Sequence, residues 1–442
     1  MKVFYLIIYA ILLLNSVLNA QHDTTKYFPE RGEYEISYWT NIAGKDSFMT
    51  VIFIPSNKVV PQINAIVEII NNEFCFNYKI ENQKTSKMPL EQFFIEIDSS
   101  IYYKTNANNE WYGTNTTILS GYCWFGEKDL EINNSLDGFI VESSNTLSIG
   151  IGNAYFLGRT PMYQLTEEET SDYFFEILDS LSSFPLNYVQ RKTIVPVRIL
   201  NNISQAEFID TLKSYVARSF SLTWINSQLV ADKYSSFLTK AKSTLQQDKI
   251  ILARCYLQDI LRDVDIDSSS TITSEAYALL RYNTEYLISK LPPVTGMIVR
   301  LTDSNGDILP GGALQYYEGG WKNAVNNQDG TFIVNTNLTK VSLRMTYAYG
   351  SQTLSNVNVG NGIITFKTIN AVVQLKDSKG NLMDQGAVQY YSGAWRNFGT
   401  TINGEVTKEL LPGNLTLRAI VGTLQQDKTQ NLLTNPLLEF TF

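Results

Sequence analysis

Two ten-residue stretches near the end of the chain, "LQYYEGGWKN" (314–323) and "VQYYSGAWRN" (388–397), are nearly the same. An offset of 74 residues relates Gln315 to Gln389, Gly306 to Gly380, Gly330 to Gly404 and Leu343 to Leu417. Four coincident offsets with matching neighbours indicate a duplicated unit, and a period this long is not that of most solenoid repeats. Each copy carries strand and turn signals. Asn305-Gly306 and Lys379-Gly380 separate apolar runs, and Asp329-Gly330 and Asn403-Gly404 suit tight hairpins, because glycine tolerates positive φ. Two small β-sandwiches are therefore expected, at 297–368 and 369–442.

The paired tyrosines within each copy put one ring on each face of a strand. One ring of Tyr316-Tyr317 and one of Tyr390-Tyr391 should be core. The others, with Trp321 and Trp395, are candidates for a sugar-binding or domain-binding platform, since exposed aromatic groups mark binding surfaces. The competing reading packs these rings inside or pairs them across strands.

The chain has 442 residues, enough for about three domains, with a formal net charge of −8 and 12% aromatic residues. The acidic balance and the lack of basic runs argue against nucleic acid as a partner. Residues 1–20 combine Lys2, the apolar run "VFYLIIYAILLL" and the exit "SVLNA", the pattern of a secretory signal cut after Ala20; an uncleaved anchor is the competing reading. No later segment approaches the ~18 apolar residues that a membrane helix needs. A secreted or cell-surface location is expected.

Alternating runs such as "FCFNYKI", "EQFFIEID" and "GFIVESS" predict an antiparallel β-sandwich over 27–165. A short helix is expected at Glu167–Leu181, capped by Thr166 with Glu169, followed by a proline-containing connector, so that 166–203 joins two domains. The acidic run Glu167-Glu168-Glu169 suits the positive end of a helix dipole better than a catalytic cluster.

Residues 204–293 read as a four-helix bundle, opening with the capping box Ser204/Glu207. The apolar stripes are Phe208/Leu212/Tyr215/Val216, Tyr234/Phe237/Leu238/Ala241/Leu245, Ile250/Ala253/Leu257/Ile260/Val264 and Ala276/Leu279/Leu280/Tyr286/Leu287/Leu291. Pro292-Pro293 ends the last helix. The fold class is thus multidomain β plus α, with one leading sandwich, a helical bundle and two small sandwiches.

The segment "SYVARSFSLTWINSQLVADKYSSFLTKAKSTLQQDKIILARCYLQDILRDV" and the following "ITSEAYALLRYNTEYLISKL" resemble the FIMAH helical bundle of secreted bacterial proteins, by helix pattern and length. Ser219 or Ser227, and Gln247, stand where that family usually has glycine. The resemblance implies an accessory, possible glycan-associated module and transfers no site residues. The second repeat, with Asp377, Gly380, Gly386, Gly404 and "LLPGNLTLRA", resembles the prealbumin-like or carboxypeptidase-regulatory-like sandwich. That resemblance implies a spacer, stabiliser or adhesion module.

The sole histidine is His22, near the presumed mature terminus, so Ser-His-Asp and Cys-His catalysis and histidine-based zinc sites have no support. No phosphate-cradling loop or dinucleotide fingerprint occurs, and no cofactor is expected. Asp263, Asp265 and Asp267 alternate as calcium ligands would, but Ser268 and Ser274 replace the glycine and the acid that the loop requires. Of three cysteines, Cys75 and Cys123 fall in the leading β region and are the candidate disulfide, which spacing alone leaves open; Cys255 reads as a small buried residue in a helix. Asn115, Asn202, Asn337 and Asn414 head N-x-S/T triplets, which an Asn-rich chain yields by chance.

These observations lead to a non-catalytic binding or adhesion protein with a glycan or a surface protein as target. The alternatives are a secreted hydrolase using paired carboxylates in the leading domain, and a pure structural spacer.

Overall fold

The computed structural model describes residues 21–106, 110–116, 120–144, 148–159, 171–182, 188–199, 203–360 and 362–442. The expected signal segment, the Thr166/Glu169 cap and the Glu167–Glu169 run lie outside these residues. The fold is mostly β-sandwich with helices, and it divides into two compact units: residues up to Thr239 with Asp259–Lys290, and Lys240–Gln258 with Leu291–Phe442.

The first unit begins with a three-stranded antiparallel sheet, β1 (Thr24–Phe28), β2 (Glu33–Ile42) and β3 (Lys45–Phe53). It stands apart from the sandwich that the sequence pattern placed from residue 27 onward. The reason lies in β2, whose Ile36 and Tyr38 bury against α1 (Asp172–Ser182), with Tyr38 stacked on Phe174 at 4.8 Å. Ser171 accepts from the Phe174 amide at 3.2 Å at the start of α1, which covers the described part of the helix expected over Glu167–Leu181.

The sandwich proper pairs a four-stranded sheet, β4 (Pro61–Ile70), β5 (Glu73–Asn82), β10 (Asn134–Ser144) and β7 (Tyr103–Asn106), with a five-stranded one. The latter runs β12 (Val189–Val197), β11 (Ser148–Gly158), β6 (Leu90–Glu96), β9 (Gly121–Leu130) and β8 (Trp111–Thr116). All pairings in both sheets are antiparallel. Alternation along β5 sends Phe74, Phe76, Tyr78 and Ile80 inward, where they meet a cluster centred on Phe93, with Trp124 and Phe139 each 4.7 Å from its ring.

Strand β12 corrects the connector expected between the short helix and the helical region. Its prolines suggested a break, but Pro196 sits on an edge strand opposite Ile149, where a missing amide is tolerated.

Four helices follow: α2 (Gln205–Ser221), α3 (Gln228–Leu245), α4 (Ile250–Asp267) and α5 (Ser274–Lys290). The Ser204/Glu207 capping box is formed, and Phe208, Leu212 and Val216 are buried as the stripe requires. Helices α2 and α5 meet through Phe208 and Tyr286, with ring centroids 5.4 Å apart. Helix α5 also lies against the sandwich, and its Ala278 and Leu279 belong to the sandwich core. Glu275 accepts from the Ala65 amide of β4 at 2.7 Å, Tyr282 donates to the Val67 carbonyl at 2.9 Å, and Asn283 donates to the Ile149 carbonyl of β11 at 2.8 Å. Side chains of α5 thereby satisfy backbone groups of the edge strand β4, which would otherwise be open to pairing with another chain.

In the second unit the duplicated region forms two sandwiches. The first places β16 (Val325–Asn326), β17 (Thr331–Val334), β13 (Met297–Thr302) and β20 (Ile364–Lys367) against β15 (Trp321–Asn323), β14 (Ala313–Tyr317), β18 (Lys340–Tyr347) and β19 (Gly350–Asn358). The second places β24 (Glu405–Leu410), β21 (Ile369–Lys376) and β27 (Leu437–Thr441) against β23 (Trp395–Thr400), β22 (Ala387–Tyr391), β25 (Asn414–Val421) and β26 (Leu424–Asn431). In each copy the first and last strands pair in parallel, β13 with β20 and β21 with β27, and the other pairings are antiparallel. Gly330 and Gly404 have φ of 89° and 78°, and a Cβ would meet the Leu309 carbonyl oxygen at 2.5 Å or Leu382 Cβ at 2.3 Å, so glycine is required at both turns. The copies are joined through Leu411, which packs in the first core, and through the Tyr390 hydroxyl, which donates to the Ala348 carbonyl at 2.9 Å.

Candidate functional site

Strand alternation divides each tyrosine pair. Tyr316 and Tyr390 point inward, are buried in the two cores, and spend their hydroxyls on the carbonyls of Asn335 and Ala348. Both leave the set of candidate binding residues. Tyr317 and Tyr391 point outward with 48% and 50% of their surface exposed.

Each outward tyrosine faces the tryptophan of the neighbouring strand. Tyr317 and Trp321 are a register pair whose rings lie 5.6 Å apart at 72°, and Tyr391 and Trp395 repeat this at 5.4 Å and 69°. Edge-to-face packing of this kind fixes both rings while leaving aromatic surface in contact with water. A third residue, not foreseen from the sequence, completes each group: Arg344 lies 3.8 Å over the Trp321 ring, and Arg418 lies 3.8 Å over Trp395. The 74-residue offset relates these arginines too, so duplication was the available signal. Each platform is thus a Tyr–Trp–Arg group on the outer face of a β-sheet.

Charges around the two platforms differ. Glu318 pairs with Lys322 at 2.8 Å near the first platform; the hydrogen bond from Lys322 holds the Glu318 carboxyl below its ordinary range. At the second, Arg418 donates two hydrogen bonds of 2.8 Å to Asp427, and this contact depresses the Asp427 carboxyl.

The aspartates singled out for calcium do not form a loop. Asp263, Asp265 and Asp267 lie in α4, where successive alternate positions diverge around the helix. Asp263 and Asp267 share Lys233, at 3.2 and 2.7 Å, whereas Asp265 pairs with Arg281 at 2.6 Å. The carboxylates are committed to cations on different sides. Among the described residues no group of three or more His, Cys, Asp or Glu side chains is placed to hold a metal ion.

The cysteine pairing is likewise corrected. Cys75 belongs to β5 and Cys123 to β9, in opposing sheets. Their neighbours Phe76 and Trp124 point into the core, so both sulfurs project from the outer faces. Packed sheets stand about 10 Å apart, beyond the reach of a disulfide. All three cysteines are buried thiols. Burial, helped by Glu142 and Glu68, raises the Cys75 thiol, and burial pushes Cys123 up to about 12.

Among the described residues of the first unit are two open cavities, of about 390 and 280 Å³. The larger is lined by Arg191, Lys192, Trp224 and Glu275, and the smaller by Tyr215, Arg198 and Arg218. Glu275 is the sole carboxylate on the first and none lines the second, so neither presents the carboxylate pair of a glycosidase. Among the described residues no helix is long and apolar enough to cross a membrane.

The chain matches no described protein family and no curated protein. Among solved structures, it is similar to an uncharacterized protein from Nocardia farcinica with an immunoglobulin-like fold, at 8% identity, 31% of this chain, 98% of that one and a TM-score of 0.19. It is also similar to the Bacillus anthracis TIE protein, at 9% identity, 88% of this chain, 58% of that one and a TM-score of 0.15. A Streptococcal ancillary pilin shares 14% identity over 33% of this chain and 62% of its own, with a TM-score of 0.14. The chain thus spans about three fifths of the length of the last two.

Proposed function

We propose that the protein is a secreted or cell-surface, non-catalytic binding protein that engages glycans through the two Tyr–Trp–Arg platforms of its C-terminal sandwiches. One observation carries the reading: Tyr317 and Tyr391 are each about half exposed, each is braced by a tryptophan, and both groups survived duplication. Braced, exposed rings provide a flat apolar surface at small entropic cost, suited to the C–H face of a pyranose. The signal-like N-terminal sequence supports an extracellular setting, and the FIMAH-like helical segment supports an accessory module. The domain plan that goes with this reading is a leading sandwich, a helical module and two display sandwiches.

A glycan array probed with the whole chain and with a Tyr317→Ala/Tyr391→Ala variant tests it. Specific binding that the variant loses, with an unchanged thermal midpoint, supports the reading. Silence across the array leaves the spacer, and turnover of a polysaccharide favours the hydrolase.

A further inference from the structure

The two platforms differ at one decisive position. Across the outer face, Gln315 stands opposite Arg344 and Arg344 opposite Thr353; in the second copy Gln389 stands opposite Arg418 and Arg418 opposite Asp427. The 74-residue offset therefore places a threonine in the first copy where the second has a carboxylate.

The consequence lies at the edge of the guanidinium. Arginine can place its flat face on an aromatic ring and still donate from its edge, because the two contacts use different parts of the group. Arg418 does both: its face covers Trp395, while Nε and Nη2 donate to the two oxygens of Asp427 at 2.8 Å each. Arg344 does only the first. Its face covers Trp321, and among the described residues its edge makes no hydrogen bond or ion pair. The neighbouring cation, Lys322, is already matched by Glu318.

The second copy thus contains, within its own chain, the planar carboxylate that the first copy lacks. A free guanidinium edge beside an exposed Tyr–Trp pair complements a ring that bears a carboxylate, and the bidentate fork selects that planar group. Resting on the glycan-binding reading above, we infer that the first repeat binds a carboxylate-bearing saccharide, with the sugar against Tyr317 and Trp321 and its carboxylate on the edge of Arg344. The second repeat, whose arginine is occupied by Asp427, takes no acidic sugar.

Titration of the full chain by tryptophan fluorescence and calorimetry tests this, using oligogalacturonate, oligoalginate and sialyllactose as probes. Methyl-esterified oligogalacturonate is the neutral control, and an oligoglutamate peptide is the non-saccharide control. The expected result is one site per chain for at least one acidic sugar, and loss of binding on esterification. Thr353→Asp, which supplies the first arginine with its own carboxylate, and Arg344→Gln should each weaken binding about tenfold or more. Asp427→Thr should raise the stoichiometry from one to two. Thr353 and Asp427 are exposed, so these variants should keep the wild-type melting temperature.

Equal binding of the esterified and acid forms would overturn the carboxylate assignment and leave the glycan-binding reading standing. So would silence from all three acidic probes while neutral glycans bind. Oligoglutamate binding as tightly as the sugars overturns the saccharide. Silence from every saccharide, acidic or neutral, removes both readings together.

Discussion

Glu275 on α5 accepts a hydrogen bond from the backbone amide of Ala65 at 2.7 Å, joining two buried residues 210 positions apart. The contact ties the last described helix of the first unit to an edge strand of its sandwich. A charged acceptor on a buried amide is stronger than a neutral one, and removing it leaves the amide without a partner. Glu275→Ala should therefore cost about 2–4 kcal/mol, and Glu275→Gln, which keeps an acceptor, about half as much. Urea unfolding would give the values, and native-state hydrogen exchange should speed up at Ala65 before the strands distant from it. An Ala65 amide equally protected in both variants counts against the role given to Glu275.

Parts of this arrangement were legible in the sequence, and parts were not. The capping box at Ser204 and Glu207 could be read because its partners are three residues apart. The apolar stripe of α5 could be read for Ala276, Leu279 and Leu280. Glu275 and Asn283 could not, because a polar residue on a helix ordinarily faces water and their partners come from distant strands. Strand β12 was hidden for a similar reason: Pro196 argues locally for a break, and only the sheet order shows that it lies on an edge. The outward rings followed from alternation and the 74-residue offset, but which arginine reaches over which tryptophan depends on the strand order β15-β14-β18.

The placement of Cys75 and Cys123 on the outer faces of opposing sheets has a direct chemical consequence. The native protein at pH 8 should react slowly with Ellman's reagent, because both thiols are buried and burial raises both, Cys123 to about 12. Unfolded without reductant, the chain should release three reactive thiols. Reductant should leave the melting temperature where it was, whereas breaking a native disulfide costs about 2–5 kcal/mol. A count of one thiol in the unfolded, unreduced chain would show that a disulfide exists after all.

Lys233 on α3 holds Asp263 and Asp267 of α4, and Tyr234 donates to the same Asp267 at 2.6 Å. Replacing the lysine with methionine leaves Asp267 without a cation beside Asp263, which keeps Arg262 at 2.8 Å, and the variant should lose about 1–3 kcal/mol. Calcium should leave the wild-type midpoint unchanged, because each of the three aspartates already has a cation. In Lys233→Met, added salt should recover part of the loss by screening the Asp263–Asp267 repulsion. A calcium-dependent rise in the wild-type melting temperature would contradict this assignment of the aspartates.

Tyr78 gives the clearest dependence on pH. Its ring is fully buried in the sandwich, its hydroxyl donates to the Ile194 carbonyl at 2.9 Å, and burial raises the phenol well above its ordinary value of 10.0. The folded protein therefore holds this proton more tightly than the unfolded chain does. The associated stability is complete below about pH 10 and falls as the pH rises further, where the unfolded state gains by ionising. Tyr234 shifts in the same direction, chiefly by burial and then by Asp267, and steepens the loss. Tyr78→Phe should cost about 1–2 kcal/mol at pH 7, since the Ile194 carbonyl loses its donor. Above pH 10, however, the variant has one less proton to lose, so its urea midpoint should decline less steeply and approach that of the wild type. Parallel midpoint curves for the two proteins between pH 9 and about pH 12 would rule out Tyr78 as a source of the alkaline instability.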